Sequence, residues 1–96
     1  MYKRQAIIAL IIEALSDGGL SGGLQKKLSE ELVMDMMSGT ISLIKNTNIT
    51  TAELKNMVTS PGGTTISALR VLEKKSLRSA LIEAIVSGSN RSKEFH

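Results

Sequence analysis

The sequence predicts an all-α chain that associates with a second copy of itself. Three observations carry that expectation. Apolar positions at 28, 32, 33, 36, 37, 41 and 44 repeat with helical periodicity. No segment shows sustained period-two alternation, so strands are not expected. Glycine and proline clusters cut the chain into segments of helical length.

The first segment, residues 6–16, is apolar around most of its circumference and needs burial on nearly all sides. Asp17, Gly18 and Gly19 are expected to end it, because glycine accepts the left-handed conformation that closes a helix. Gly22 and Gly23 make the stretch to Leu24 a turn. A second helix is expected from Gln25 to about Lys45, with Lys26, Lys27, Glu30 and Glu31 on its polar side. Asn46, Thr47 and Asn48 break it. The run TTAE at 50–53 then reads as a capping box opening a short third helix to about Val58. Pro61, Gly62 and Gly63 stop the chain, and Thr64 or Thr65 can cap a fourth helix with the apolar stripe Ile66, Leu69 and Leu72. After a break near Lys75 and Ser76 comes a last helix marked by Leu77, Leu81 and Ile85, expected to fray over residues 87–90.

Composition narrows the function. The chain has 96 residues, room for one domain or a piece of one. One Tyr, one Phe and no Trp nearly exclude an aromatic cage or a base-stacking platform. The absence of cysteine removes disulfides, thiolate catalysis and thiolate metal sites, and His96 is terminal, so no metal site is expected. A net charge of +3 is too small to argue for nucleic acid. Its excess falls late in the chain, where Arg70, Lys74 and Arg78 would share a helix face at four-residue spacing, either a solvated face or an anion-contacting patch. The apolar run at 6–15 is interrupted by Glu13 and is far short of the roughly 20 residues that cross a bilayer. Asp17, Gly18 and Gly19 give no signal-peptide cleavage site, so no membrane contact and a cytoplasmic location are expected. The helices carry more apolar surface than so small a domain hides, and burying the first against its mate in a homodimer resolves the excess.

The run SPGGTT at 60–65 is the one stretch that carries chemistry. Proline fixes the approach, two glycines expose bare backbone, and a helix starts just after, gathering N–H groups at a positive dipole end among three hydroxyls. A small carboxylate suits it; a Walker-type phosphate loop does not, lacking the spacing and the terminal Gly-Lys-Ser/Thr. A plain turn with an N-cap is the alternative reading.

From Glu53 to Glu73 the chain reads ELKNMVTSPGGTTISALRVLE, which resembles the signature region of pyrroline-5-carboxylate reductases. SLRSALIEAIVSGSNRSKEF is similar to that family's terminal helix, LIIEALSDGGL to its LIEALADGG segment, and SGGLQKKLSEEL to its next helix start, so the resemblance spans about residues 6–95. Residues 1–5 resemble nothing in it. The resemblance implies an all-helical C-terminal domain that interleaves with a second copy to form a dimer, with larger rings of dimers in some members. It implies that Ser60, Gly62, Gly63, Thr64 and Thr65 hold the substrate carboxylate at the dimer interface. It gives Thr65 the further role of approaching the ring nitrogen, the one catalytic position.

The implied reaction is NAD(P)H-dependent reduction of 1-pyrroline-5-carboxylate to L-proline. No Gly-rich strand-turn-helix fingerprint occurs here, so no cofactor is expected to bind this chain alone, and NADPH or NADH would belong to the Rossmann half of a parent enzyme. The chain is then expected to be catalytically incomplete by itself. The other reading is a free-standing helical dimerisation module without catalytic activity.

Overall fold

A computed structural model describes residues 3–59 and 63–94. Among them are five helices and no strand: α1 (Lys3–Ser21), α2 (Lys26–Thr47), α3 (Thr51–Thr59), α4 (Gly63–Lys74) and α5 (Leu77–Glu94). The all-α expectation holds. The chain divides into two compact units, Met1–Thr50 and Thr51–His96.

In the first unit α1 packs on α2. The expected stop at Asp17, Gly18 and Gly19 does not occur; α1 runs through them to Ser21. The reason lies in packing. An ideal Cβ on Gly19 would meet the Ser29 hydroxyl and lie 3.2 Å from the Ser29 Cβ and 3.3 Å from Leu24 Cδ1. The glycine therefore admits a neighbouring element rather than a left-handed turn. The helix ends two residues later, at Ser21, just before the second glycine pair. Gly23 has φ +100°, Leu24 N–H donates to the Gly19 carbonyl (3.0 Å) and Gly23 N–H to the Leu20 carbonyl (3.0 Å), the two crossed bonds of a Schellman closure.

Where α1 and α2 meet, two hydroxyls are almost fully buried, Ser16 at 3% and Ser29 at 1% exposure. Ser29 Oγ donates to the Ser16 carbonyl (2.7 Å) and Ser16 Oγ to the Ile12 carbonyl (2.7 Å), so neither group is left without a partner. Val33, one turn beyond Ser29, is the buried apolar side chain of this contact. The start of α2 falls where expected, with Gln25 extended (φ −70°, ψ 149°) at the N-cap and no side-chain cap bond. Its end follows the Asn46, Thr47 and Asn48 cluster: Thr47 Oγ1 bonds the Leu43 carbonyl (2.7 Å), and Asn48 turns left-handed at φ 59°.

In the second unit α3 begins at Thr51, placing Thr50 before it and Glu53 third within it, the spacing of a capping box. The break near Lys75 and Ser76 is present. Ser76 adopts φ 62° while its N–H reaches the Glu73 carbonyl (3.0 Å). Two expectations need correction. The last helix does not fray at 87–90 but continues through Gly88 to Glu94; one interior glycine costs only about 1 kcal/mol, which a long helix tolerates. Arg70 and Lys74 lie on α4 but Arg78 lies on α5, so the three do not share a helix face.

Among the described residues no helix is long and apolar enough to cross a membrane.

Candidate functional site

The SPGGTT run straddles the start of α4. Ser60, Pro61 and Gly62 lie outside the described residues, so the predicted roles of Ser60 and Gly62 are not placed. Gly63, Thr64 and Thr65 form the first turn of α4. Neither threonine caps the helix, because helical backbone already begins at Gly63.

That position changes what the threonines offer. The first N–H groups of a helix have no carbonyl four residues back, so those of Gly63, Thr64 and Thr65 are directed out of the helix at its positive end. No acidic residue stands in this turn. Gly63 and Thr64 are exposed and Thr65 is half-buried. A Cβ placed on Gly63 would meet nothing within 4 Å, so the backbone here is open to an incoming group. Just upstream, Thr59 Oγ1 donates back to the carbonyls of Lys55 (2.9 Å) and Asn56 (3.2 Å), closing the last turn of α3. The turn is thus suited to a small anion, and Thr65 is the hydroxyl on it that stands partly out of water.

Thr65 also shares a face of α4 with Leu69 and Leu72, at spacings of four and seven residues. Those two leucines line an open cavity of about 280 Å³ with Leu77 and Leu81 of α5, rimmed by Lys55, Glu73 and Arg78. On that rim Arg78 Nη2 donates to Glu73 Oε2 (2.9 Å) across the α4–α5 break. The hydrogen bond from Arg78, and secondarily its charge, hold the Glu73 carboxyl below its ordinary range; the same contact raises Arg78. Arg78 is therefore engaged by its own chain rather than offered to an external anion.

Sequence reasoning missed this cavity and its ion pair. Pairs five residues apart are not helix neighbours, and only the left-handed break at Ser76 brings them together. The one available signal was the predicted break itself. Among the described residues no group of three or more His, Asp or Glu converges to hold a metal.

Comparison with known proteins relates the chain to one part of a family of reductases. The family model described as pyrroline-5-carboxylate reductase dimerisation matches residues 4–95. Pyrroline-5-carboxylate reductase from Synechocystis is 48% identical over 90 residues, covering 94% of this chain and 34% of the relative. The Arabidopsis thaliana enzyme is 43% identical, covering 94% and 33%, and the Escherichia coli enzyme 36%, covering 94% and 34%. A crystal structure of Plasmodium falciparum pyrroline carboxylate reductase with NADP bound superimposes with a TM-score of 0.88 at 33% identity, covering 94% of this chain and 34% of that one. The chain spans about a third of the length of the curated relatives it matches.

Proposed function

This chain belongs to the pyrroline-5-carboxylate reductase dimerisation family, and on that premise we propose that it forms the dimerising, substrate-holding part of such a reductase. The reaction of the whole protein is reduction of 1-pyrroline-5-carboxylate to L-proline. The observation that carries the assignment is the open, acid-free first turn of α4 at Gly63, Thr64 and Thr65, embedded in the run VTSPGGTT.

In this reading the backbone N–H groups of Gly62, Gly63, Thr64 and Thr65, with the hydroxyls of Ser60 and Thr64, receive the substrate carboxylate. Fixing the carboxylate fixes the ring, since the imine nitrogen is bonded directly to the carbon that bears it. Thr65 Oγ1 then orients the nitrogen by hydrogen bonding. An unperturbed hydroxyl is a poor acid, so Thr65 positions or relays a proton rather than acting as the general acid. The chain assembles as a homodimer, with substrate held near the contact between copies.

Reduction also needs a hydride donor, the chemistry a nicotinamide cofactor supplies when bound. The described residues contain no strand leading through a glycine-rich turn into a helix, so they do not fit a dinucleotide in the Rossmann manner. The described residues would supply binding and orientation.

The test is amide NMR of the chain titrated with L-proline and, separately, with L-prolinamide. L-proline is expected to shift the signals of Gly62 to Thr65 while the amide, lacking the carboxylate, leaves them in place. Equal shifts with both compounds, or none with either, remove the carboxylate site. In a full-length reductase carrying this domain, Thr65→Ala is expected to lower turnover with the dimer intact; unchanged kinetics would exclude Thr65.

A further inference from the structure

Helix α4 carries the proposed carboxylate turn at one end and the Glu73–Arg78 pair at the other. Between the two it is loosely seated. The side it shares with α3 and α5 is occupied by the open cavity of about 280 Å³, to which α3 gives Lys55, α4 gives Leu69 and Leu72, and α5 gives Leu77 and Leu81. A helix in a close-packed core is held by interdigitating side chains, and along this cavity α4 lacks those partner atoms.

Polar contacts hold its C-terminal end instead. Along the break the Lys75 N–H donates to the Val71 carbonyl and the Ser76 N–H to the Glu73 carbonyl, both at 3.0 Å, and the Ala80 N–H to the Ser76 carbonyl at 3.0 Å. Each of these is a single point that fixes the course of the backbone. Arg78 adds a restraint of another kind. Its Nη2 donates to Glu73 Oε2 at 2.9 Å while its Nε faces Oε1 at 3.5 Å, so a planar guanidinium from α5 meets a planar carboxylate from α4 at two points. A two-point contact between planar groups fixes an angle as well as a distance.

We infer that Glu73 and Arg78 are positioning residues for the reaction: their fork sets the angle between α4 and α5 and, through it, the place of Thr65. This role rests on the substrate-holding reading above and deepens it. Thr65 precedes Glu73 by eight residues, about 12 Å along the helix axis. A rod of that length turned by about 5° at its foot moves its far end by about 1 Å, and a misplacement of that size can cost up to about a hundredfold in rate. Both side chains are exposed and screened, so the pair adds little to stability. An angle that packing leaves soft needs only a small bias.

Kinetics of a full-length reductase carrying this domain test the consequence. Arg78→Ala is expected to lower kcat/KM for 1-pyrroline-5-carboxylate about three- to tenfold, with the KM for the nicotinamide cofactor and the dimer unchanged. Arg78→Lys, which keeps the charge and loses the fork, is expected to remain impaired. The reversed pair, Glu73→Arg with Arg78→Glu, is expected to return kcat/KM to within about twofold of the unmodified enzyme. Full activity in either Arg78 variant, or a folded reversed pair that recovers nothing, overturns the inference. So does a loss matched by weaker cofactor binding or a weaker dimer, which is the mark of general destabilisation. Residual dipolar couplings of the 96-residue chain report the α4–α5 angle with no substrate present, and an angle unmoved by Arg78→Ala also overturns it. The L-proline titration of the unmodified chain fails or succeeds independently: absent shifts there remove the carboxylate reading alone, and the kinetic comparison still decides the role of the pair.

Discussion

The Glu73–Arg78 pair shows how far one contact reaches when both partners are in water. Its side chains are 55% and 65% exposed, so solvent screens it and its role is local, bracing the left-handed break between α4 and α5. The pH dependence has a definite sign. Glu73 is depressed in the folded chain, so the stabilisation is complete above the ordinary carboxylate range and is lost as pH falls through the lowered folded value. Side-chain carboxyl NMR should show Glu73 titrating below an ordinary glutamate, and Arg78→Ala should return it to the ordinary range; an unmoved midpoint would mean that Arg78 is not the cause. Counting residues had set Arg78 in line with Arg70 and Lys74, because a four-residue interval presumes one continuous helix. The α4 start, by contrast, was legible to within two or three residues, since proline and glycine act through their own backbones. What the sequence could not disclose is the cavity beside it, which exists only because residues of three helices converge.

The two glycine pairs of the first unit look alike in the sequence and do opposite things. Gly18 and Gly19 lie inside α1, and Gly22 and Gly23 end it. Nothing local distinguishes them; the difference is that Gly19 faces Ser29 and Leu24 whereas Gly23 holds the left-handed closure. The adjacent residues Gly18 and Gly19 should therefore answer alanine with opposite signs. At Gly18 a Cβ meets nothing within 4 Å, and Gly18→Ala should stabilise by about 0.5–1 kcal/mol through helix propensity. At Gly19 the methyl must displace the buried Ser29 hydroxyl and its bond to the Ser16 carbonyl, and Gly19→Ala should destabilise by roughly 1–3 kcal/mol. Denaturant midpoints at one fixed chain concentration decide it, and two changes of the same sign would contradict the packing account. Where helix ends follow from intrinsic backbone preference, as at Asn48, the sequence located them. Where they follow from what a neighbouring helix touches, as at Gly19, it did not.

At the scale of the whole molecule the apolar arithmetic is unbalanced. Val33 is the buried apolar side chain among the described residues, while twenty large apolar side chains are exposed, Leu10 at 63% and Ile82 at 58% among them. Burying one such side chain contributes roughly 1.5–3 kcal/mol, and ordering one residue's backbone costs about 1–2 kcal/mol. A single copy therefore buries too little to offset the ordering of five helices. The surface that would make up the difference is already present on both units: Ile8, Leu10 and Leu15 of α1, Leu28, Leu32, Met36 and Leu43 of α2, and Val71, Leu72, Ile82 and Ile85 of α4 and α5. The over-apolar first helix was the sequence's own indication of this, and the exposure of Ile8, Leu10 and Leu15 within the single chain gives it a structural form. If association completes the core, folding and dimerisation are one equilibrium, and stability depends on concentration. Each tenfold rise in chain concentration should add about 1.4 kcal/mol to the apparent stability of the dimer, raising its melting temperature by roughly 3–5 °C for an assembly of this size. Calorimetry over two decades of concentration measures that slope directly. A melting temperature that stays fixed would mean each copy folds by itself, and the exposed apolar residues would then have to be surfaces added to an already stable monomer rather than the missing half of its core.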